Sequence, residues 1–255
     1  MNVKLTLEYD GTDYYGWQIQ PDRATVQEAV ERALAQILGA PVRVCGAGRT
    51  DAGVHALGQT AHFECAKPVD LKRLQKGLNA LLRPAIVVKA AEAASGTFDA
   101  RRDALSRVYQ YRIWNCPWPS AFYARYSWHV HQALDWTAMA EAARAIIGEH
   151  DFSSFRAAGC DASHAVRKVC ASSVRRERDF IVYEIEASAF LRHMVRNIVG
   201  TLVLVGRGEL SVAGFSDILK LRDRSRAGPT APARGLFLVE VKYETDGSGL
   251  RGSGP

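Results

Sequence analysis

The 255-residue chain is 47% hydrophobic and 24% charged, an ordinary globular composition that excludes a low-complexity chain. Thirty-three Lys and Arg against 27 Asp and Glu leave a net charge of +6, and 25 of the 33 are Arg, a side chain suited to forked phosphate contacts and base stacking, so a nucleic-acid partner is favoured. No apolar run reaches the length of a membrane span, no leader-like apolar segment opens the chain, and five scattered cysteines without Cys-x-x-Cys argue against a disulfide framework or zinc knuckle, so a cytoplasmic protein is expected.

Val3, Leu5, Leu7 and Tyr9 alternate with polar residues and predict an opening strand that ends at Asp10-Gly11. Thr25 with Glu28 forms a capping box for a helix whose apolar face runs from Val26 to Leu38, and Gly39 stops it. A strand is predicted near Val42–Cys45, then a glycine-rich loop, then a strand over Gln59–Glu64. Asp70 caps a helix through Leu82, and Ile86–Lys89 closes the first half as a strand.

The second half repeats the plan. Val108–Trp114 reads as a strand, and Asp135 caps a helix carrying Trp136, Met139, Ala140, Ala143, Ile146 and Ile147 on one face. Val166–Arg175 and Phe180–Ala187 alternate as paired strands around Arg178-Asp179. Leu191–Val205 holds the longest helical pattern, and Leu236–Tyr243 is a final strand. Two rounds of strand, helix, strand, strand, helix, strand, over 1–104 and 105–245, predict an α+β protein with antiparallel sheet and helices on one face. The glycine-rich end, 246–255, is expected to be a flexible tail.

The segment Cys45 to Gly58 holds four glycines, Gly46, Gly48, Gly53 and Gly58, between two predicted strands. Such a loop can bring Arg49, Thr50 and Asp51 close to a ligand. It lacks the Gly-Lys-Ser/Thr of a P-loop, and Asp51 stands where a dinucleotide fingerprint needs its third glycine. Asp51 and His55 are too few donors for a metal site. On spacing alone, Arg-x-Asp reads first as a turn with a local ion pair and second as a catalytic group.

Gly48-Arg-Thr-Asp-Ala-Gly-Val-His-Ala56 resembles the signature of the tRNA pseudouridine synthase A family. The resemblance extends to Glu8–Gln18, Phe98–Arg101, Ser106–Arg112, His150–Arg156, Phe190–Gly200 and Gly235–Leu238, in order along nearly the whole chain. It implies isomerisation of uridine to pseudouridine at positions 38, 39 and 40 of the tRNA anticodon stem-loop. It further implies a homodimer, no metal or organic cofactor, and two ferredoxin-like α+β halves joined in one mostly antiparallel sheet with the cleft between them.

By the same resemblance Asp51 is the catalytic group, attacking C1′ of the ribose or abstracting a proton from C2′. Arg196, in Met194-Val-Arg-Asn197, is its expected guanidinium partner; a pair about 4 Å apart gains roughly 4 kcal/mol at an effective dielectric near 20. Arg49 is expected to fill the gap left by a flipped nucleotide, Tyr109 to stack on the uracil with Tyr111 as its rival, and Leu236 to floor the pocket. Arg101, Arg102, Arg175, Arg176, Arg178, Arg222 and Arg224 are candidate tRNA contacts. His129 and His131 read as surface or dimer residues, and no proton-transfer role is assigned to His55 or His193. The rival readings are a non-catalytic RNA-binding module of this fold and a synthase acting on other uridines.

Overall fold

The computed structural model describes residues 1–160 and 162–244, so the tail 246–255 lies outside the described residues. Strand β1 (Asn2–Tyr9) buries Val3, Leu5, Leu7 and Tyr9 as its alternation requires. Helix α1 (Val26–Leu38) begins where the Thr25 hydroxyl accepts the Glu28 N–H at 3.4 Å, and ends at Gly39 with φ 72°. The cap is almost fully buried, and Thr25→Ala is expected to lower unfolding stability by about 1 kcal/mol, read as a shift in the denaturant midpoint at unchanged slope.

The first half continues through β2 (Cys45–Gly46), β3 (His55–Glu64), α2 (Leu71–Leu82) and β4 (Ile86–Ala94). The second contains β5 (Ser106–Trp114), β6 (Trp128–His129), α3 (Trp136–Arg144), β7 (Gly148–Asp151), β8 (Val166–Glu177), β9 (Phe180–Ala187), α4 (Met194–Gly206), α5 (Val212–Leu221) and β10 (Leu236–Lys242).

The sheet runs β4-β1-β3-β10-β5-β9-β8-β7, with β2 on β3 and β6 on β5. Each half contributes the same order, β4-β1-β3-β2 and β10-β5-β9-β8, with β7 added at the far edge. Pairing is mostly antiparallel. The join is parallel: Phe237 and Leu238 of β10 lie opposite His55 and Ala56 of β3, while the other end of β3 pairs with β2. Alternating burial along β5 and β8 leaves one sheet face largely to solvent, with helices over the other. The fold is α+β, as the sequence pattern predicts.

Several predicted boundaries are corrected. The strand expected at Val42–Cys45 shrinks to Cys45–Gly46, because side chains of α1 take the Val44 backbone: Gln27 Nε2 donates to its carbonyl and its N–H donates to Glu31 Oε1, each at 2.9 Å. Strand β3 starts at His55 rather than Gln59, since β10 from the distant half pairs with those first residues. Helix α3 stops at Arg144, where Gly148 at φ 110° turns the chain into β7. Helix α4 starts at Met194 rather than Leu191, because His193 is left-handed at φ 61°. The short strands β6 and β7 and the helix α5 were not predicted.

Candidate active site

The glycine loop between β2 and β3 leaves the sheet beside the parallel seam. Nearly every residue of it is anchored. The Ala47 N–H donates to Thr60 O at 2.8 Å, and Gln59 Nε2 donates to Gly48 O at 2.8 Å. The Thr50 carbonyl accepts from Trp17 N–H at 3.1 Å, and its hydroxyl bonds the Tyr9 hydroxyl at 2.8 Å. The Gly53 N–H donates to Tyr14 O at 3.2 Å from φ 75°. At Gly16, φ is 85° and a Cβ would lie 2.4 Å from Thr50 O, so only glycine lets the two loops approach. Arg107, half-buried on β5, donates to Ala47 O at 2.8 Å and to three further carbonyls, which ties the loop to the second half.

This scaffold presents the Asp51 carboxylate, 30% exposed, to the start of α4. Arg196 Nη1 donates to Asp51 Oδ2 at 3.2 Å, while its Nε donates to Ala231 O at 2.7 Å. The guanidinium is thus oriented by a backbone carbonyl before it meets the carboxylate. His193 Nε2 stands 3.5 Å from the same oxygen. Two residues 145 and 142 positions from Asp51 therefore converge on it from the start of α4.

Helix α4 can deliver these groups because its flanks are locked. Asn197 Nδ2 donates to Phe155 O at 2.8 Å, and Asn197 Oδ1 accepts from Thr230 Oγ1 at 2.6 Å and from Arg224 at 3.1 Å. A Cβ on Gly200 would meet Pro229 O at 1.7 Å, so the returning chain lies directly on the helix.

The other predicted residues fall as follows. Tyr109 is buried on β5, edge-on to Phe190 at 4.9 Å, and its phenol is pushed upward by burial, then by Tyr9 and Asp51. Tyr111 is fully buried and donates to Pro232 O at 2.7 Å. Leu236, opposite Tyr111 on β10, is buried, and Arg49 is exposed on the loop beside Asp51.

Among the candidate RNA contacts, Arg175 pairs with Glu177 at 2.6 Å and Glu184 at 3.4 Å, and Arg222 pairs with Asp151 at 3.5 Å. Arg176 Nε donates to the Arg178 carbonyl at 3.0 Å, and Arg102 lies 3.9 Å from Asp99. The Arg101 N–H donates to Asp99 Oδ1 at 2.8 Å, and Arg224 braces Asn197 and Thr230 beside α4. His129 Nε2 bonds Cys116 O at 2.9 Å. Among the described residues no cluster of three His, Cys, Asp or Glu side chains is placed to hold a metal.

His55 is a buried brace. Its Nδ1 accepts the Gly11 N–H at 3.1 Å, its Nε2 meets Arg125 O at 3.2 Å, and the ring stacks on Phe237 at 4.8 Å. Burial lowers its pKa from the ordinary 6.5, outweighing the opposing pull of Asp10. The folded state thus binds fewer protons than the unfolded one, so this contribution is complete above pH 6.5 and is lost as pH falls below it. Thermal midpoints of the wild-type protein are expected to decline on acidification below that value, and those of His55→Gln to decline less steeply.

The sequence motif signalled Asp51 and Arg196, but His193 was assigned no part. Its signal was its place three residues before Arg196, which puts both at the same helix start. Thr230 and Asn197, which lock that helix, carried no signal of their own.

The comparisons with known proteins agree with this fold. The description of the tRNA pseudouridine synthase family matches residues 6–101 and 142–244. The chain belongs to that family, isomerases that act on uridines of tRNA. It is similar to proteins named tRNA pseudouridine synthase A: 45% identical to that of Myxococcus xanthus over 99% of this chain and 95% of the relative. Against that of Methylobacterium sp. (strain 4-46) the identity is 47%, over 96% and 98% of the two chains. Against that of Geobacter sulfurreducens it is 45%, over 94% and 99%.

Proposed function

We propose that this protein isomerises uridine to pseudouridine at positions 38, 39 and 40 of the tRNA anticodon stem-loop, with Asp51 as the catalytic group. The observation that carries the reading is the Asp51 carboxylate, fixed by a pinned glycine loop and met at 3.2 Å by the preoriented Arg196. A carboxylate in that position suits either attack at C1′ or proton abstraction from C2′. Uracil then turns and reattaches through C5. Reactant and product are isomers and no electrons leave, so the reading includes no cofactor.

Arg49 fills the stack left by the flipped nucleotide, Tyr109 faces the extruded base, and Leu236 floors the pocket. The arginines at 101, 102, 175, 176, 178, 222 and 224 are read as tRNA contacts; those already in ion pairs reach phosphates by exchanging partners. The enzyme is read as a cytoplasmic homodimer of two-unit chains, 1–104 and 105–245. Among the described residues no helix is long and apolar enough to cross a membrane.

The test is nucleotide-resolution mapping of pseudouridine in an unmodified tRNA transcript incubated with the protein and no added cofactor. Signal at positions 38 to 40 is expected. Signal elsewhere would keep the chemistry and discard this target. Tight tRNA binding without product would favour the non-catalytic module.

A further inference from the structure

Isomerisation at C5 leaves one proton to be moved. When detached uracil reattaches, the C5–C1′ bond forms and C5 still carries its hydrogen. The C5–H bond must then break, its electron pair restoring the C5=C6 double bond, while N1 accepts a proton. A base beside the site is required.

The groups around Asp51 differ in fitness for that step. Arg196 has no lone pair to offer. Burial, and then the neighbouring Tyr9 and Asp51, push the Tyr109 phenol upward, which keeps it protonated. Tyr111 is committed to the Pro232 carbonyl. Asp51 is assigned to the sugar.

His193 differs from all of these. Its Nε2 lies 3.5 Å from Asp51 Oδ2, and its side chain is 26% exposed. Its backbone is left-handed at φ 61°, a region that histidine and asparagine enter more readily than most residues with a Cβ, and its side chain makes no capping bond to α4. The Met194 N–H donates to Leu191 O and the Asn197 N–H to His193 O, which hold that turn in place. The turn thus places the imidazole beside the carboxylate and leaves it without a bond to its own helix.

We infer that, given Asp51 as the catalytic group, His193 is the general base that takes the proton from C5. The charged groups around it support an uncharged ring. Burial lowers its pKa, and Arg196, Arg192 and Arg224 oppose a second positive charge, against the pull of Asp51. The positive end of α4 acts in the same direction. A neutral imidazole always keeps one nitrogen lone pair.

The experiment follows single turnovers on a tRNA transcript carrying 5-deuterated uridine, with wild-type protein and His193→Asn. Asparagine tolerates the left-handed backbone but supplies no base. The variant is expected to bind tRNA as wild type does, to form pseudouridine at least about 100-fold more slowly, and to show a larger primary deuterium isotope effect. An unchanged rate overturns the inference. So does a slower rate with the wild-type isotope effect, which would make His193 a positioning group for Asp51. If the variant does not fold, the wild-type isotope effect is followed as pH drops below 6.5, the ordinary histidine value. It is expected to grow as the imidazole takes up a proton, and a flat effect overturns the inference. A wild-type protein that makes no pseudouridine in any tRNA fails the Asp51 reading itself.

Discussion

Asp51→Ala is expected to lose at least about 10⁴-fold in pseudouridine formation, a barrier increase of more than about 5 kcal/mol, while tRNA binding persists. Without the carboxylate nothing attacks or deprotonates the sugar, and the remaining machinery only holds RNA. The fold should survive. Asp51 is part-exposed, and the loop is anchored through the Thr50 and Gly53 backbones and the Thr50 hydroxyl, not through this side chain. Asp51→Asn is the sharper variant because it keeps shape and removes only the charge. Nucleotide-resolution mapping and a binding assay on the same preparations give the answer. Product from either variant above about 1% of the wild-type rate would remove Asp51 from the chemistry.

Arg196→Ala is expected to lower turnover by about 10² to 10³-fold, the usual cost of deleting one preorganised donor beside developing charge. Arg196→Lys should restore little. The arginine makes two bonds in different directions, to Ala231 O and Asp51 Oδ2, and a single ammonium cannot reproduce that fork. The effect belongs in kcat, since the pair orients the reacting group. A variant altered only in KM would reassign Arg196 to RNA binding. Thermal unfolding should be measured alongside, because the variant also loses the bond to Ala231 O, although the Ala231 N–H keeps its bond to the backbone carbonyl of residue 196.

The elements most legible in the sequence were those whose pattern is local. The alternation of Val3 to Tyr9, the Thr25–Glu28 cap and the Asp70 and Asp135 caps each report a nearest-neighbour rule, and each element formed. Strand β3 was cut short in prediction because its first residues are specified by Phe237 and Leu238, far along the chain. Val42 to Val44 has strand-like composition, yet Gln27 and Glu31 claim the Val44 backbone. The first pairing joins the two halves of the chain, and the second is a side-chain claim on backbone that hydrophobic periodicity does not report.

The site divides along the same line. The sequence by itself determined the family, the glycine loop and its aspartate, and the arginine within Met194–Asn197, because motif residues can be recognised without knowing what they touch. Only the tertiary structure decided that His193 shares the Asp51 carboxylate, that Tyr111 is tied to the Pro232 carbonyl while Tyr109 packs edge-on to Phe190, and that Arg224 also braces α4. These are outcomes of competition for partners between segments distant along the chain, settled by packing and hydrogen-bond geometry that no local pattern encodes.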